Sequence, residues 1–188
     1  MSGRSTARES YERHLGEASD IRDHLPRLFD EARGTVLELG VRDGVSTSAF
    51  LAGVEQRNGE VWSVDVDPSC SETYAGHPLW HFVCADSRDP APLEDAGLPA
   101  TIDVLFVDTL HEYAQVRDEL SVWGPRVDRS GIVLFHDTDT FPEVRHAVED
   151  YARRQGFRAE FLHGSNGLGV IHPEPVATPA GAVAVVEM

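Results

Sequence analysis

The segment Val36–Thr47, with the sequence VLELGVRDGVST, constrains the fold more than any other part of the chain. It begins with a short apolar run of the kind that forms a strand buried in a parallel sheet. Gly40 and Gly44 follow, and glycines let the chain turn tightly beside a ligand. Ser46 or Thr47 is then expected to cap a helix. A strand, a glycine turn and a helix in this order predict an α/β fold with a nucleotide-like cofactor.

The spacing of the glycines narrows the choice of cofactor site. The dinucleotide fingerprint requires G-x-G-x-x-G, whereas this loop has G-x-x-x-G, with Glu38 two residues before the first glycine. The loop also has no phosphate-binding lysine, which excludes a P-loop. A glycine turn in some other α/β protein remains an alternative at this point.

Acidic residues follow the next two predicted strands. The strand containing Val61, Trp62 and Val64 ends in Asp65, and the strand from His81 to Cys84 is followed by Asp86. An acid at the end of the second strand typically binds ribose hydroxyls. Together with Glu38, three acids therefore mark three consecutive strands at one edge of the sheet.

With these motifs, the chain from about Val36 to His172 resembles the class I S-adenosylmethionine-dependent methyltransferases. The resemblance implies that Glu38 and Gly40 border the methionine part of the cofactor, Asp65 the ribose and Asp86 the adenine. The cofactor-binding residues predicted in this way are Glu38, Gly40, Gly44, Ser46, Asp65, Asp86 and Asp108.

The remaining pattern predicts a Rossmann-like α/β fold, with seven strands in a mostly parallel sheet, helices on both faces and a terminal antiparallel strand pair. Residues 1–172 are expected to form one methyltransferase-like domain, with a helical lid over about 1–33 and a flexible or partner-binding tail over 173–188. Strands are predicted at Ile102–Val107, Gly131–Phe135, Phe157–Leu162 and Leu168–His172, and helices at about 112–123 and 142–154.

Acids and histidines follow the fourth and fifth strands. The sequence FVDTLHEY places Asp108 and His111 after one strand, and LFHDT places His136 and Asp137 after the other. Neighbouring strands lie about 4.8 Å apart, so Asp108 and Asp137 are expected to reach a single cation. Two carboxylates suit Mg²⁺, and His136 as a nitrogen ligand would favour Mn²⁺ or Fe²⁺. The alternative is that these acids cap helices or bind backbone amides.

His111 follows Asp108 by three residues, at the start of the next helix. Its ordinary pKa near 6.5 suits it to take a proton from a substrate hydroxyl. Metal-dependent catechol-type O-methyltransferases, which the chain resembles, carry a basic residue at this spacing, although theirs is lysine. The fuller pattern, D-x-x-H-x-Y and then H-D, is more similar to antibiotic-sugar O-methyltransferases and cephalosporin hydroxylase-like proteins. A helix-start residue hydrogen-bonded to Glu112 or to backbone is the other interpretation of His111.

Composition limits the partners. A formal net charge of -16 argues against nucleic acid, whose phosphates require clustered lysine and arginine. No apolar run has the length of a membrane span, and the first residues are polar, so a cytoplasmic protein is expected. Cys70 and Cys84 are expected to be unpaired thiols. A homodimer formed through the AVAVV segment of the tail is a further possibility.

These observations together predict metal-dependent transfer of a methyl group from S-adenosylmethionine to a hydroxyl of a small molecule such as a natural product, sugar or phenol. One alternative is a metal-dependent hydroxylase on the same fold. Another is a subunit that binds S-adenosylmethionine without catalysis. The paired carboxylates beside His111 argue against a pure binder, since binding alone does not require them.

Overall fold

A computed structural model describes residues 6–174, in which strands and helices alternate through most of the chain. The strands are β1 (Gly34–Leu39), β2 (Gly59–Asp65), β3 (Trp80–Cys84), β4 (Ile102–Val107), β5 (Val127–His136), β6 (Arg158–Leu162) and β7 (Leu168–His172). The helices are α1 (Ala7–Gly16), α2 (Leu25–Glu31), α3 (Val45–Arg57), α4 (Ala91–Ala96), α5 (Tyr113–Trp123) and α6 (Pro142–Gln155).

The seven strands form one sheet in the order β3-β2-β1-β4-β5-β7-β6. Strands β1 to β5 are parallel to one another, while β7 lies antiparallel between β5 and β6. This arrangement confirms the predicted Rossmann-like fold with its terminal antiparallel pair. The fifth strand is longer than predicted, because it begins at Val127 rather than Gly131 and pairs with β4 through an irregular register.

Helices cover both faces of the sheet, so the central strands contribute apolar side chains to two cores. In β4, Val104 and Phe106 face the core formed with α1, α2 and α3. Leu105 and Val107 face the core formed with α4, α5 and α6. The alternation follows from the two-residue period of a strand, and burial on both faces explains why β4 is almost continuously apolar.

Helix α3 begins differently from the prediction. Gly44 is its N-cap residue, in the left-handed conformation, and no side chain caps the helix. The expectation that Ser46 or Thr47 caps it is therefore wrong. Both hydroxyls instead donate hydrogen bonds to the buried Glu38 beneath the loop. Thus the polar side chains at the helix start satisfy a buried carboxylate rather than the backbone.

The N-terminal helices belong to the core. Tyr11 of α1 stacks on Phe29 of α2 at a ring-centroid distance of 5.1 Å, and both helices pack against α3. The segment between them reaches the sheet edge, where Asp20 and Ile21 line a cavity. The helical lid over about 1–33 remains a prediction. Residues 175–188, including the AVAVV segment, lie outside the described residues.

Two further expectations concern the cysteines and the membrane. Cys70 is buried and Cys84 exposed, and both are free thiols as predicted. Across residues 6–174, no helix combines the length and apolar character needed to cross a bilayer.

Candidate active site at the carboxyl edge of the sheet

Two cavities open at the edge of the sheet where the strands end. The chain runs from β1 outward to β3 and then returns to β4 on the other side, which creates a crevice between β1 and β4. The cavity that contains His111, called here the His111 cavity, has a volume of about 400 Å³. The cavity that contains Asp65, the Asp65 cavity, has a volume of about 350 Å³. They share Gly40, Asp108 and Thr109, so they form two parts of one cleft.

Gly40 follows β1 directly and lies against the backbone of Asp108, which follows β4. Its φ is +90°, and a Cβ at this position would lie 1.9 Å from the carbonyl oxygen of Asp108. The neighbouring backbone is fixed as well, since Asp108 N–H donates to the Leu39 carbonyl at 2.9 Å. Only glycine satisfies both requirements. The first glycine of the loop is therefore required by its contact with the Asp108 backbone.

Glu38 is buried beneath the glycine loop. Its carboxylate accepts hydrogen bonds from the hydroxyls of Ser46 at 2.6 Å, Thr47 at 2.8 Å and Ser63 at 2.6 Å. Burial raises the pKa of Glu38 to about 7, although the three hydroxyls oppose the shift. The described walls of the two cavities include Ser46 but not Glu38. Glu38 thus holds the start of α3 through these hydroxyls. It does not itself contact the space in which a ligand would bind.

Asp65 lines its cavity and also fixes the glycine loop. One carboxylate oxygen accepts from the Val41 N–H at 2.8 Å and the Arg42 N–H at 3.3 Å. The other accepts from the Asp67 N–H at 2.9 Å. The acid at the end of β2 is therefore oriented toward the loop that follows β1.

Asp86 lies across the Asp65 cavity, after β3. It pairs with Arg88, whose Nη2 lies 2.6 Å from Oδ2, and it also accepts from the Arg88 N–H at 2.9 Å. These contacts lower the pKa of Asp86 to about 2. Asp86 is consequently an ionised acceptor at the rim of this cavity.

The predicted acids and histidines of β4 and β5 meet at the cleft. Nε2 of His111 lies 2.6 Å from Oδ2 of Asp137 and 3.9 Å from Oδ1 of Asp108. One potential ligand atom from each of these three residues lies within 4.8 Å of the other two. The strand ends therefore bring both carboxylates to a common point, as the sequence predicted.

His136 joins this cluster from the buried side. Its Nε2 faces the carbonyl oxygens of Asp20 at 3.1 Å and Ser165 at 3.0 Å. Carbonyl oxygens only accept, so Nε2 carries the hydrogen and Nδ1 is directed away from the backbone. Nδ1 lies 3.3 Å from Oδ2 of Asp108 and 3.3 Å from Oδ2 of Asp137. The predicted nitrogen ligand thus faces both predicted carboxylate ligands.

Opposite charges dominate the electrostatics of the cluster. Burial on its own raises the pKa of Asp108, but His111 and His136 outweigh burial and lower it to about 2. Burial on its own lowers the pKa of His136, but Asp108 and Asp137 raise it to about 10. The nearby carboxylates of Asp108 and Asp137 raise the pKa of His111. The two carboxylates therefore form an anionic site that attracts positive charge.

Unsatisfied atoms and an unusual backbone conformation concentrate in the same place. Among the described residues, Nε2 of His111, Nδ1 of His136 and Oδ1 of Asp137 are buried without a partner in hydrogen-bond geometry. Asp137 also has a φ of +66°, a region that non-glycine residues rarely adopt. Buried polar atoms are normally satisfied, and backbone strain often marks functional sites. Carboxylate and imidazole atoms in this arrangement fit a divalent cation.

A family model described as a methyltransferase domain matches residues 37–138, just over half of the chain. The chain belongs to this methyltransferase family. The matched range runs from β1 to the residue after Asp137, so it contains the glycine loop and the acid–histidine cluster of the methyltransferase domain.

Curated relatives of this methyltransferase domain are distant. An uncharacterized protein of Acanthamoeba polyphaga mimivirus is 26% identical over 146 residues, which cover 68% of this chain and 63% of that protein. An uncharacterized protein of Sinorhizobium fredii is 25% identical over 148 residues, but the match covers only 16% of its length. The chain therefore spans less than two thirds of the length of both relatives.

Solved structures share the fold. The SAH-bound methyltransferase PaMTH1 of Podospora anserina has a TM-score of 0.66 at 14% identity, over 90% of this chain and 88% of that one. CalS11, a TDP-rhamnose 3'-O-methyltransferase, has a TM-score of 0.60 at 20% identity, over 80% and 76%. The mycinamycin-pathway methyltransferase MycE, in complex with Mg and SAH, has a TM-score of 0.62 at 17% identity, over 98% and 58%. At these identities the likeness concerns the fold.

The methyltransferase domain also contains a buried polar network that the sequence analysis missed. Glu119 of α5 is fully buried and contacts Ser87, Thr109 and Gln115 behind the Asp65 cavity. A signal was present, because Gln115 and Glu119 lie one turn apart on α5, next to the apolar positions that face the core. Tyr113, the tyrosine of the D-x-x-H-x-Y pattern, donates to Asp150 at 2.7 Å and lines neither of the two cavities.

Proposed function

We propose that the chain transfers a methyl group from S-adenosylmethionine to a hydroxyl of a small molecule, assisted by a divalent cation. The observation that carries this proposal is the convergence of Asp108, His111 and Asp137 where the two cavities meet. A donor bound in one cavity and an acceptor bound in the other would meet beside this cluster. Membership of the methyltransferase family supports the type of reaction.

The donor is proposed to bind along the glycine loop. Its adenosine part would occupy the Asp65 cavity, with Asp65 at the ribose and Asp86 toward the adenine. Its methionine part would extend past Gly40 toward Gly44 and Ser46, near Asp108. Glu38 would act indirectly, because its carboxylate holds the hydroxyls of Ser46 and Thr47. PaMTH1 and MycE, which share the fold, are both described in complex with SAH.

Asp108, Asp137 and His136 are proposed to hold the cation, with Mg²⁺ the first choice and Mn²⁺ or Fe²⁺ the alternatives. Oδ1 of Asp137 and Nδ1 of His136 are buried without hydrogen-bond partners among the described residues, as expected for atoms reserved for a ligand. A bound divalent cation supplies a Lewis acid that lowers the pKa of an acceptor hydroxyl. MycE is described with Mg.

His111 is proposed as the general base. Its ring stacks on Phe141 at a centroid distance of 4.0 Å and an interplanar angle of 11°, which fixes its orientation in the cavity. Asp108 and Asp137 stabilise the positive charge that the ring gains with a proton, and they raise its pKa for this reason. The proton-accepting form of His111 therefore increases as the pH rises through this raised pKa, which lies above the ordinary value for histidine.

The reaction would be an in-line displacement. The acceptor oxygen forms a bond to the methyl carbon while the bond from that carbon to the sulfonium sulfur breaks, and its electron pair goes to sulfur. The hydroxyl proton passes to the imidazole of His111. The main contribution of the protein is to orient donor and acceptor on the two sides of Asp108.

The acceptor is proposed to be a small hydroxylated molecule, such as a sugar or a phenol. The His111 cavity, at about 400 Å³, has a size typical of small-molecule sites. The net charge of -16 disfavours nucleic acid. A homodimer formed through the tail stays a prediction, which measurement of the oligomeric state tests.

The proposal is tested by methyl transfer from S-adenosylmethionine with a labelled methyl group, over a panel of hydroxylated small molecules, with and without a chelator. Label transfer that stops on chelation and returns with Mg²⁺ or Mn²⁺ is expected. Full activity after exhaustive chelation would contradict the metal step. A product that gains an oxygen atom, rather than a methyl group, would indicate the hydroxylase. Donor binding without transfer to any acceptor would favour the non-catalytic subunit.

A further inference from the structure

The Asp65 cavity has a polar wall that the proposed mechanism does not use. Ser87 follows β3, Thr109 follows β4 and Gln115 lies in the first turns of α5, and all three line this cavity. Glu119 lies behind them, with none of its surface exposed. Three separate segments of the chain therefore meet on one buried carboxylate.

The contacts of Glu119 occupy both of its oxygens. Oε1 accepts from the Ser87 hydroxyl at 2.5 Å and from Nε2 of Gln115 at 2.8 Å. Oε2 accepts from the Thr109 hydroxyl at 3.0 Å. Two hydroxyls and an amide directed at one carboxylate satisfy it without a cation.

The positions of the polar hydrogens follow from these contacts. Each hydroxyl has one hydrogen, and those of Ser87 and Thr109 point to Glu119. The amide of Gln115 has two, and its Nε2 contacts both Glu119 and the Ser87 oxygen, the latter at 3.1 Å. The hydrogens of both hydroxyls, and at least one of the two on Nε2 of Gln115, are therefore directed into the network. What Ser87 and Thr109 offer to a ligand is oxygen lone pairs.

The hydroxyl oxygens of Ser87 and Thr109 on this wall, which can only accept, favour a ligand group that donates. Adenine carries an amino group at C6, which donates hydrogen bonds, whereas hypoxanthine carries a carbonyl there, which accepts. A carbonyl facing this wall would lose its hydrogen bond to water without gaining another. The same hydroxyls would accommodate a carbonyl if their hydrogens were free to rotate toward the cavity.

We propose that Glu119 is a positioning residue that makes the cofactor site selective for a 6-aminopurine, by fixing the hydroxyl hydrogens of Ser87 and Thr109 away from the cavity. This inference rests on the proposed function, because it assumes that the Asp65 cavity receives the adenosine part of the donor. It assigns Glu119 no direct contact with the cofactor.

The test compares the binding of S-adenosyl-L-homocysteine with that of its deaminated analogue, S-inosyl-L-homocysteine, by titration calorimetry. The wild-type chain is expected to prefer the adenine compound by about tenfold or more. In Glu119→Gln the new amide donates to a neighbouring hydroxyl and releases a hydrogen toward the cavity. The preference should fall to about threefold or less, and the inosine compound should bind more tightly than it does to wild type.

Asp118→Asn is the matched control, because Asp118 lies on the same helix, is exposed and pairs with Arg117. This variant should keep the wild-type preference. Simple damage to the site would weaken both ligands, so tighter binding of the inosine compound separates the proposed role from a structural one. If Glu119→Gln does not fold, as judged by circular dichroism, Ser87→Ala provides the test. It should weaken the adenine compound and leave the inosine compound nearly unchanged.

The outcomes separate this inference from the proposed function. A wild-type chain that binds both compounds equally, or a Glu119→Gln variant that keeps the full preference, overturns the inference and leaves the methyltransferase proposal intact. A wild-type chain that binds neither compound contradicts the proposed donor, and the inference fails with it.

Discussion

Two kinds of carboxylate occur near the same edge of the sheet. Glu38 and Glu119 are surrounded by hydroxyl and amide donors, and burial raises the pKa of both. Asp108 and Asp137 are surrounded by His111 and His136, and the pKa of each aspartate is lowered. The first pair is fully hydrogen-bonded, whereas Oδ1 of Asp137 has no partner among residues 6–174.

This difference separates carboxylates that support the local structure from carboxylates that can take part in the chemistry. A buried carboxylate that accepts from neutral donors holds the segments that carry those donors, and such networks specify local structure. Two carboxylates directed toward each other repel unless a positive charge lies between them. The glutamates therefore belong to the framework of the cleft, and the aspartates to the site where charge is bound.

The largest effect is expected from Asp137→Asn. Asparagine tolerates the positive φ at this position and retains the side-chain shape, but it lacks the charge that a cation requires. Methyl transfer should fall by about a thousandfold or more, while calorimetry should show S-adenosyl-L-homocysteine binding close to that of wild type.

Asp139→Asn is the matched control for this loop, because Asp139 pairs with His163 and Arg145 outside the cluster. It should keep most of the activity. Equal losses in the two variants would indicate a general disturbance of the loop and would contradict the role assigned to Asp137.

The next effect concerns stability and distinguishes the framework carboxylates. The pKa of Glu38 is about 7 in the folded chain against an ordinary value of 4.5, so the folded state binds its proton more tightly than the unfolded state does. Its contribution to stability is present below pH 4.5 and is lost as the pH rises through 7. As the pH rises from 4.5 to above 7, the free energy of unfolding of Glu38→Gln should therefore increase relative to that of wild type by on the order of 3 kcal/mol.

Urea denaturation of both proteins at pH 4.5 and pH 8 measures this difference. Glu12→Gln, which changes an exposed glutamate on α1, is the control and should show the same pH dependence as wild type. If the free energy of unfolding of Glu38→Gln differs from that of wild type by the same amount at both pH values, the pKa of Glu38 is not raised in the folded chain.

The smallest of the three effects is expected from His111→Ala, which should reduce turnover by about a hundredfold, the usual contribution of a general base. Its pH–rate profile should lose the ascending limb that deprotonation of His111 produces in wild type. Affinity for Mn²⁺, measured by calorimetry on the same variant, should change little. If Mn²⁺ binding is lost instead, His111 is a ligand of the cation and not the base.

Much of the fold could be predicted because its signals are local. The apolar runs at β1 and β4, the glycine turn and the acids after β2 and β3 follow from the burial of parallel strands and the shape of their edge. Strand order also explains why Asp108 and Asp137 could be placed together, since β4 and β5 are neighbours.

The parts that escaped prediction depend on tertiary contacts. Ser46 and Thr47 have the residue types of a helix cap, but Glu38, which is distant from water, competes for their hydroxyls. Glu119 looks like a surface residue of an amphipathic helix until Ser87 and Thr109, from two other segments, are seen to meet it. The one-turn spacing of Gln115 and Glu119 indicates a polar pair on α5, but the partners Ser87 and Thr109 come from other segments, and no periodic pattern reveals them.

The two cavities share a wall formed by Gly40, Asp108 and Thr109. In an enzyme of the proposed type, a donor seated along that wall becomes part of the surface that the second reactant meets. The order of binding follows, because the site for the acceptor is complete only after the donor has bound. Initial-rate kinetics should show a compulsory sequence, in which the demethylated donor is the last product to leave.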